Sequence, residues 1–213
     1  MKRVRSAPPD LDARIARRLR QERDARQLTL DALAERSGVS RAMISRIERG
    51  ESSPTAALLG RLCGGLDITL STLFADVDAV PSPIARRDDQ TVWRDPATGY
   101  VRRAVSPPNT GSVQDIVDVT LPAGARVAYP AAAYRGIDQH VLVLDGDLEF
   151  GNGGEVHRLG PGDCLFVAHA ADSWFRNPGR RAARYLVVLA RLAAAPDATS
   201  GRARAKPGPR RRT

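Results

Sequence analysis

Residues 28–50 read LTLDALAERSGVSRAMISRIERG, and the reading of this stretch decides the N-terminal fold. Leu30, Leu33 and Ala34 recur at helical spacing, and Thr29 stands in front of them as an N-cap. Gly38 breaks that helix and supplies the backbone freedom a tight turn needs, while Val39 is the apolar residue that packs the turn. Ser40 caps a second helix in which Met43, Ile44 and Ile47 share one face, and Gly50 ends it in the C′ position. The other face then carries Arg41, Ala42, Ser45, Arg46 and Arg49. Such a face suits a DNA major groove, where Arg reads guanine O6 and N7 and Ala touches a thymine methyl.

The helical texture extends on both sides. Leu11, Ile15 and Leu19 recur every four residues with Arg14, Arg17, Arg18 and Arg20 between them. Pro54 and Thr55 open a fourth helix containing Leu58, Leu59, Leu62 and Leu66, and Ser71–Phe74 form a short fifth. Residues 11–76 are therefore expected to be a small five-helix domain, preceded by a flexible, polar segment 1–10. Residues 78–90 hold Pro81, Pro83 and mixed charges, so 77–90 reads as a linker.

From Thr91 onward the period changes from helical to short β-like runs: Thr91–Arg94, Tyr100–Val105, Asp115–Leu121, His140–Leu144, Asp147–Phe150, Cys164–Ala168 and Arg184–Ala190. Gly, Pro, Asp and Asn turns separate them, which predicts a sandwich or barrel over 91–192. The last segment, 193–213, is rich in Ala, Pro, Gly and Arg and is expected to be a disordered basic tail. The fold class is thus α+β multidomain, helices first and an all-β domain second.

Charge follows the same division. The formal net charge is +9. Residues 1–75 hold 14 Arg/Lys and 9 Asp/Glu, residues 76–192 hold 13 and 14, and residues 193–213 hold 6 and 1. The basic excess sits at the two ends of the chain, which marks a nucleic-acid-binding end joined to a module with another task. Arg202, Arg204, Arg210, Arg211 and Arg212 are expected to add salt-sensitive, sequence-independent affinity. Two cysteines, Cys63 and Cys164, exclude a disulfide scaffold or zinc-finger framework and fit a reducing cytosol. No apolar run approaches the roughly 18–20 residues of a membrane span, and no apolar stretch follows Met1–Arg5 as a signal peptide requires.

Thr29, Gly38-Val39-Ser40, Ile44-Ser45, Ile47-Glu48, Gly50 and Pro54 together closely resemble the Cro/repressor-type (XRE) helix-turn-helix domain, from about Leu11 to Phe74. The resemblance implies that Arg41, Ala42 and Arg46 occupy base-reading positions. It places Thr29, Ser40, Ser45 and Arg49 where the family holds phosphates. Glu48 is implied to support the fold.

Trp93-Arg94-Asp95-Pro96 with Gly99-Tyr100, HVLVLDGDLEF (140–150) and LGPGDCLFVAHAADSWFRNPG (159–179) resemble the cupin sensor domain found behind this DNA-binding domain in bacterial regulators. A cupin is a small double-sheet barrel with a pocket at its mouth. Metal-binding cupins use two His and a Glu in the first motif and a His in the second. Those positions fall here on Ala133, Arg135, Gln139 and Ser173, which departs from the metal-binding pattern and argues against a metal-dependent enzyme. No metal and no cofactor is expected. His140 is one residue off the ligand register and should face away; His157 and His169 read as surface or packing residues. Cys63 and Cys164 read as buried packing residues. Tyr134, Arg135, Gln139, Ser173 and Phe175 are candidates to line the pocket, with Arg135 either pairing a carboxylate ligand or sitting on a surface loop.

These readings converge on a cytoplasmic regulator that binds double-stranded DNA at a near-palindromic operator as a homodimer, more often as a repressor by the family resemblance. Its cupin domain is expected to dimerise and to sense a small-molecule effector. The alternatives are a cupin enzyme carrying a DNA-binding domain and a regulator whose cupin domain only dimerises.

Overall fold

Hydroxyl caps start four of the five helices. The computed structural model describes residues 11–75, 80–168 and 171–192. Helix α1 spans Leu11–Ala25, α2 Leu30–Ser37, α3 Arg41–Glu48, α4 Ala56–Leu66 and α5 Leu70–Phe74. The side chains of Thr29, Ser40, Thr55 and Thr69 accept from the backbone N–H of Ala32, Met43, Leu58 and Thr72 respectively, satisfying donors that a helix start leaves open. Gly38 ends α2 at φ 65°, the left-handed conformation that glycine adopts without a steric penalty. Gly50 closes α3: its N–H reaches Ile47 O at 2.9 Å and the N–H of Glu51 reaches Arg46 O at 2.9 Å, the paired bonds of a Schellman end. Ile15, Leu19, Leu33, Ile44, Ile47, Leu59 and Leu62 bury their side chains together, as their periodicity predicts.

Ten strands follow: β1 Val92–Arg94, β2 Val101–Ala104, β3 Gln114–Leu121, β4 Arg126–Tyr129, β5 Ile137–Asp145, β6 Leu148–Asn152, β7 Glu155–Leu159, β8 Cys164–Ala168, β9 Ser173–Arg176 and β10 Ala183–Arg191. They form a six-stranded sheet in the order β1-β2-β3-β10-β5-β8 and a four-stranded sheet in the order β4-β9-β6-β7. All pairings are antiparallel. Val117, Val119, Val141, Val143 and Tyr185 of the larger sheet are buried, as are Val127, Phe150 and Phe175 of the smaller. Strands β4, β7 and β9 were not expected from the sequence. Each is four or five residues long and lies in the smaller sheet, where polar or small side chains mask the alternation.

The outer face of the larger sheet carries a band of apolar side chains. Across β3, β10, β5 and β8 the register aligns Ile116, Val188, His140 and Phe166 in one row, and Asp118, Leu186, Leu142 and Cys164 in the next. Phe166 is 54% exposed and Ile116 37% exposed. His140 packs its ring on Phe166 with centroids 5.1 Å apart, so it faces outward as its register requires. Cys164 is exposed rather than buried, which corrects the sequence reading. The pleat turns Cys164 and Phe166 outward and Val167 inward. Cys63 is buried in α4, where desolvation pushes its thiol up to about 12.

The two halves are packed against each other, not merely tethered. Helix α4 lies on the barrel through Gly60 and Gly64. A Cβ at Gly60 would come within 2.9 Å of the Tyr129 ring, and one at Gly64 within 2.9 Å of Ala132. Phe74 of α5 packs on Trp93 of β1 with centroids 5.3 Å apart. The buried Asp95 carboxylate accepts from the N–H of Ala56 at 3.2 Å, at the positive end of α4. Asp67 after α4 pairs with both Arg36 at 3.1 Å and Arg135 at 2.7 Å. The buried apolar side chains form one continuous cluster from Ile15 to Leu189. Of the expected linker, the described part includes a 3-10 turn at Arg87–Asp89, whose Arg87 carbonyl accepts from Arg103 Nη1 at 3.1 Å. The segments 1–10 and 193–213, with the tail arginines, lie outside the described residues, as does His169. Among the described residues no helix is long and apolar enough to cross a membrane.

Candidate nucleic-acid interface and barrel cavity

Helix α3 packs through Ile44 and Ile47 and presents Arg41, Ala42, Arg46 and Arg49 outward, with Ser45 half-buried beside them. The five positions lie on one face because they recur at three- and four-residue spacing. Thr29 and Ser40 are exposed at the starts of α2 and α3. Each hydroxyl accepts a capping bond and keeps its own O–H to donate, which is how such caps hold a phosphate oxygen. The cationic side chains are differently engaged. Arg41 is 3.5 Å from Asp31. Arg49 donates to Glu51 at 2.6 and 2.7 Å and to Ser45 Oγ, and this pairing raises its pKa while Glu51 is lowered. Arg46 makes no ion pair among the described residues, so its guanidinium fork is the one on this face open to an incoming base.

Glu48 points the other way. Arg23 of α1 donates Nε and Nη2 to its two carboxylate oxygens at 2.7 and 2.8 Å, and Nη1 to the Leu28 carbonyl at 2.9 Å. The Glu48 bonds hold the Arg23 guanidinium above its usual pKa. The pair locks α3 to α1, and only 12% and 7% of the two side chains is exposed. Glu48→Ala leaves the half-buried Arg23 with only the more exposed Asp24, 2.7 Å from Nη1, as a counter-charge, and thermal unfolding should show a loss of about 2 kcal/mol, a Tm about 4–8 °C lower. The double variant with Arg23→Ala should lose less than the sum of the two single changes; additivity would mean that the pair does not couple.

The second site is a cavity of about 30 Å³ at the barrel mouth. That is room for roughly two waters. Its walls include Val117, Val119, Val187 and Leu189, the four tyrosines Tyr100, Tyr129, Tyr134 and Tyr185, and the polar groups Gln139 and Arg102. Thr69 and Leu70, at the start of α5, complete it, so the helical half supplies part of the wall. Burial holds the four tyrosine hydroxyls above their usual pKa, leaving them neutral donors.

Of the five residues read as pocket-lining, Tyr134, Gln139 and Phe175 line this cavity and two do not. Arg135 projects outward and pairs with Asp67, because Gly136 and the 3-10 turn at Ala131–Tyr134 direct it away from the barrel. Ser173 is buried between Tyr129 and Asn152 on neighbouring strands, off the cavity wall. The metal that cupins commonly hold does not fit here. The wall offers an amide and hydroxyl groups, with the Arg102 guanidinium beside them, and such a set holds no transition-metal ion. Among the described residues no three His, Cys, Asp or Glu side chains cluster as a metal site.

Arg102 was missed from the sequence. It is 4% exposed, donates Nη2 to Ser71 Oγ at 2.7 Å, and lies over the Phe74 ring at 5.1 Å. In Val101-Arg102-Arg103 it reads as one more strand arginine; nothing in the local pattern says that α5 covers it.

A family model for the helix-turn-helix matches residues 19–73, and one for the cupin domain matches residues 117–189. The chain is 28% identical over 167 residues to the HTH-type transcriptional regulator SutR of Escherichia coli strain K12, covering 78% of this chain and 89% of SutR. The solved structure of an HTH_3 family transcriptional regulator from Vibrio cholerae is 26% identical with a TM-score of 0.70, over 86% of this chain and 98% of that one. A cupin domain of an XRE family transcriptional regulator from Enterobacter cloacae matches at 22% identity and a TM-score of 0.41, over 44% of this chain and 98% of that one.

Proposed function

Since the chain belongs to the XRE-type helix-turn-helix transcriptional regulators that carry a cupin domain, we propose that it is a cytoplasmic, homodimeric repressor, not an enzyme, whose barrel cavity senses a small molecule. The observation that carries this reading is the joint: the cavity wall is built partly from Thr69 and Leu70 of the DNA-binding half, so anything bound there touches both halves. Arg41, Ala42 and Arg46 read base edges in the major groove, while Thr29, Ser40, Ser45 and Arg49 hold phosphates. Arg49 exchanges its Glu51 partner for a phosphate on binding.

A single α3 covers one half-site. The outer face of the larger sheet, with the rows from Ile116 to Phe166 and from Leu186 to Cys164, supports a second copy of this chain as the occupant. The bidentate Arg184–Asp118 pair, at 3.0 and 2.8 Å, neutralises Asp118, the β3 member of the second row. Two-fold symmetry would place the two recognition helices about 34 Å apart on a near-palindromic site. Ligand binding changes operator affinity only insofar as the two conformations bind it differently.

Genome-wide mapping of bound DNA in the native host, with a footprint on the strongest site, tests the reading. A sharp two-fold-symmetric footprint over a promoter is expected. Diffuse, salt-labile binding with no preferred site would remove the regulator function and leave only electrostatics.

A further inference from the structure

We propose that the barrel cavity takes a small organic monoanion, a carboxylate on an apolar body, held by Arg102, and that the same arginine transmits occupancy to the DNA-binding half. The proposal rests on the sensing role given above and names its ligand class.

Arg102 is a buried cation with an unfilled fork. Its Nη2 donates to the neutral Ser71 hydroxyl, its face lies on Phe74, and no carboxylate is within ion-pair distance among the described residues. A guanidinium carries five N–H donors, and a charge taken out of water without a counter-charge is an expensive arrangement that an anion relieves. The rest of the polar wall has the same polarity. The buried tyrosines are neutral hydroxyls, and Arg102 is near enough to Tyr100 and Tyr134 to favour negative charge beside them. One fixed positive charge, hydroxyl donors and no acid among the lining residues disfavour an amine or a metal cation and select an anion. The remaining wall, Val117, Val119, Ile137, Val187 and Leu189, is aliphatic and calls for an apolar body.

Size links binding to movement. About 30 Å³ does not hold a carboxylate and its carbon skeleton, so the wall has to yield. Thr69, Leu70 and Ser71 begin α5, and a carboxylate drawn to Arg102 competes with the Ser71 hydroxyl for its donors. Helix α5 in turn packs on α1, where Arg14 Nη2 reaches the Phe74 carbonyl at 3.5 Å. The occupied state therefore differs from this one at the seam that positions the reading helices, which is the differential contact a coupled equilibrium requires.

The test is calorimetry on the full-length protein at constant ionic strength with propionate, butyrate and benzoate against propionamide, butyramide and benzamide. Carboxylates should bind at least tenfold more tightly than the matched amides, a comparison on the unaltered protein that needs no variant to fold. Arg102→Gln should lower carboxylate affinity at least tenfold and leave the amides unchanged. Ser71→Ala should keep carboxylate binding and reduce the carboxylate's effect on operator affinity. Amides that equal carboxylates, or carboxylates that bind Arg102→Gln undiminished, overturn the anion assignment and leave sensing in place. Binding of an amine or sugar from a metabolite panel, with no carboxylate bound, does the same. If no compound of any class shifts the protein's melting temperature, sensing itself falls and Arg102 is only a joint between the two halves.

Discussion

Phe166→Asp is expected to turn the proposed dimer into a folded monomer that binds its operator about a hundredfold more weakly. Phe166 is 54% exposed on the outer sheet face, so the barrel does not need it for its own core. In an isologous contact the change is made twice, once on each copy, and both carboxylates must be desolvated on the same apolar rows. Separate chains lose the effective concentration that joins two half-site contacts, commonly worth two or more orders of magnitude. Sedimentation velocity and operator titration measure the two effects together. A variant that remains dimeric would move the second copy to another surface.

Arg46→Ala should cost about 1–3 kcal/mol at each half-site of the operator and relax specificity at one base position. Among the described residues the side chain has no ion pair to break before it can dock, unlike Arg41 with Asp31 and Arg49 with Glu51. A bidentate contact to guanine is therefore made without losing an existing one. The discriminating measurement is the same titration on random DNA. An equal loss there would make Arg46 a phosphate contact, because phosphate contacts carry no sequence information.

The helical half was legible because its signals are local. A cap such as Ser40, a turn glycine such as Gly38 and an apolar triad such as Met43, Ile44 and Ile47 act within a few residues of each other. The outward position of Arg46 follows from the same period. The barrel was legible where strands are long and alternate cleanly, as in Ile137–Asp145 and Ala183–Arg191. It was opaque at Arg126–Tyr129, Glu155–Leu159 and Ser173–Arg176, which are four or five residues long and have polar or small side chains at alternate positions. Cys164 was misjudged because one-residue register decides the face, and a run such as Cys164-Leu165-Phe166-Val167 is apolar on both sides. The cavity was half-visible. Strand position indicated Tyr134, Arg135, Gln139, Ser173 and Phe175, of which Tyr134, Gln139 and Phe175 line the cavity; the places of Arg135 and Ser173 depend on a turn and a neighbouring strand that local pattern does not encode. Arg102 depends on an entire helix from the other half of the chain, a contact separated from it by 31 positions at Ser71.

The missing Cβ atoms at Gly60 and Gly64 have a thermodynamic consequence. They let α4 lie flush on Tyr129 and Ala132, and the apolar interior runs through that seam without a break. Unfolding the barrel would strip water-excluding partners from α4 and α5, and unfolding the helices would uncover Trp93, Asp95 and Arg102. Neither half can melt at little cost to the other, so a chain that reads as two modules should unfold as a single cooperative transition, with calorimetric and van't Hoff enthalpies equal. A molecule that settles in the barrel therefore protects, in the same act, the helix that reads DNA.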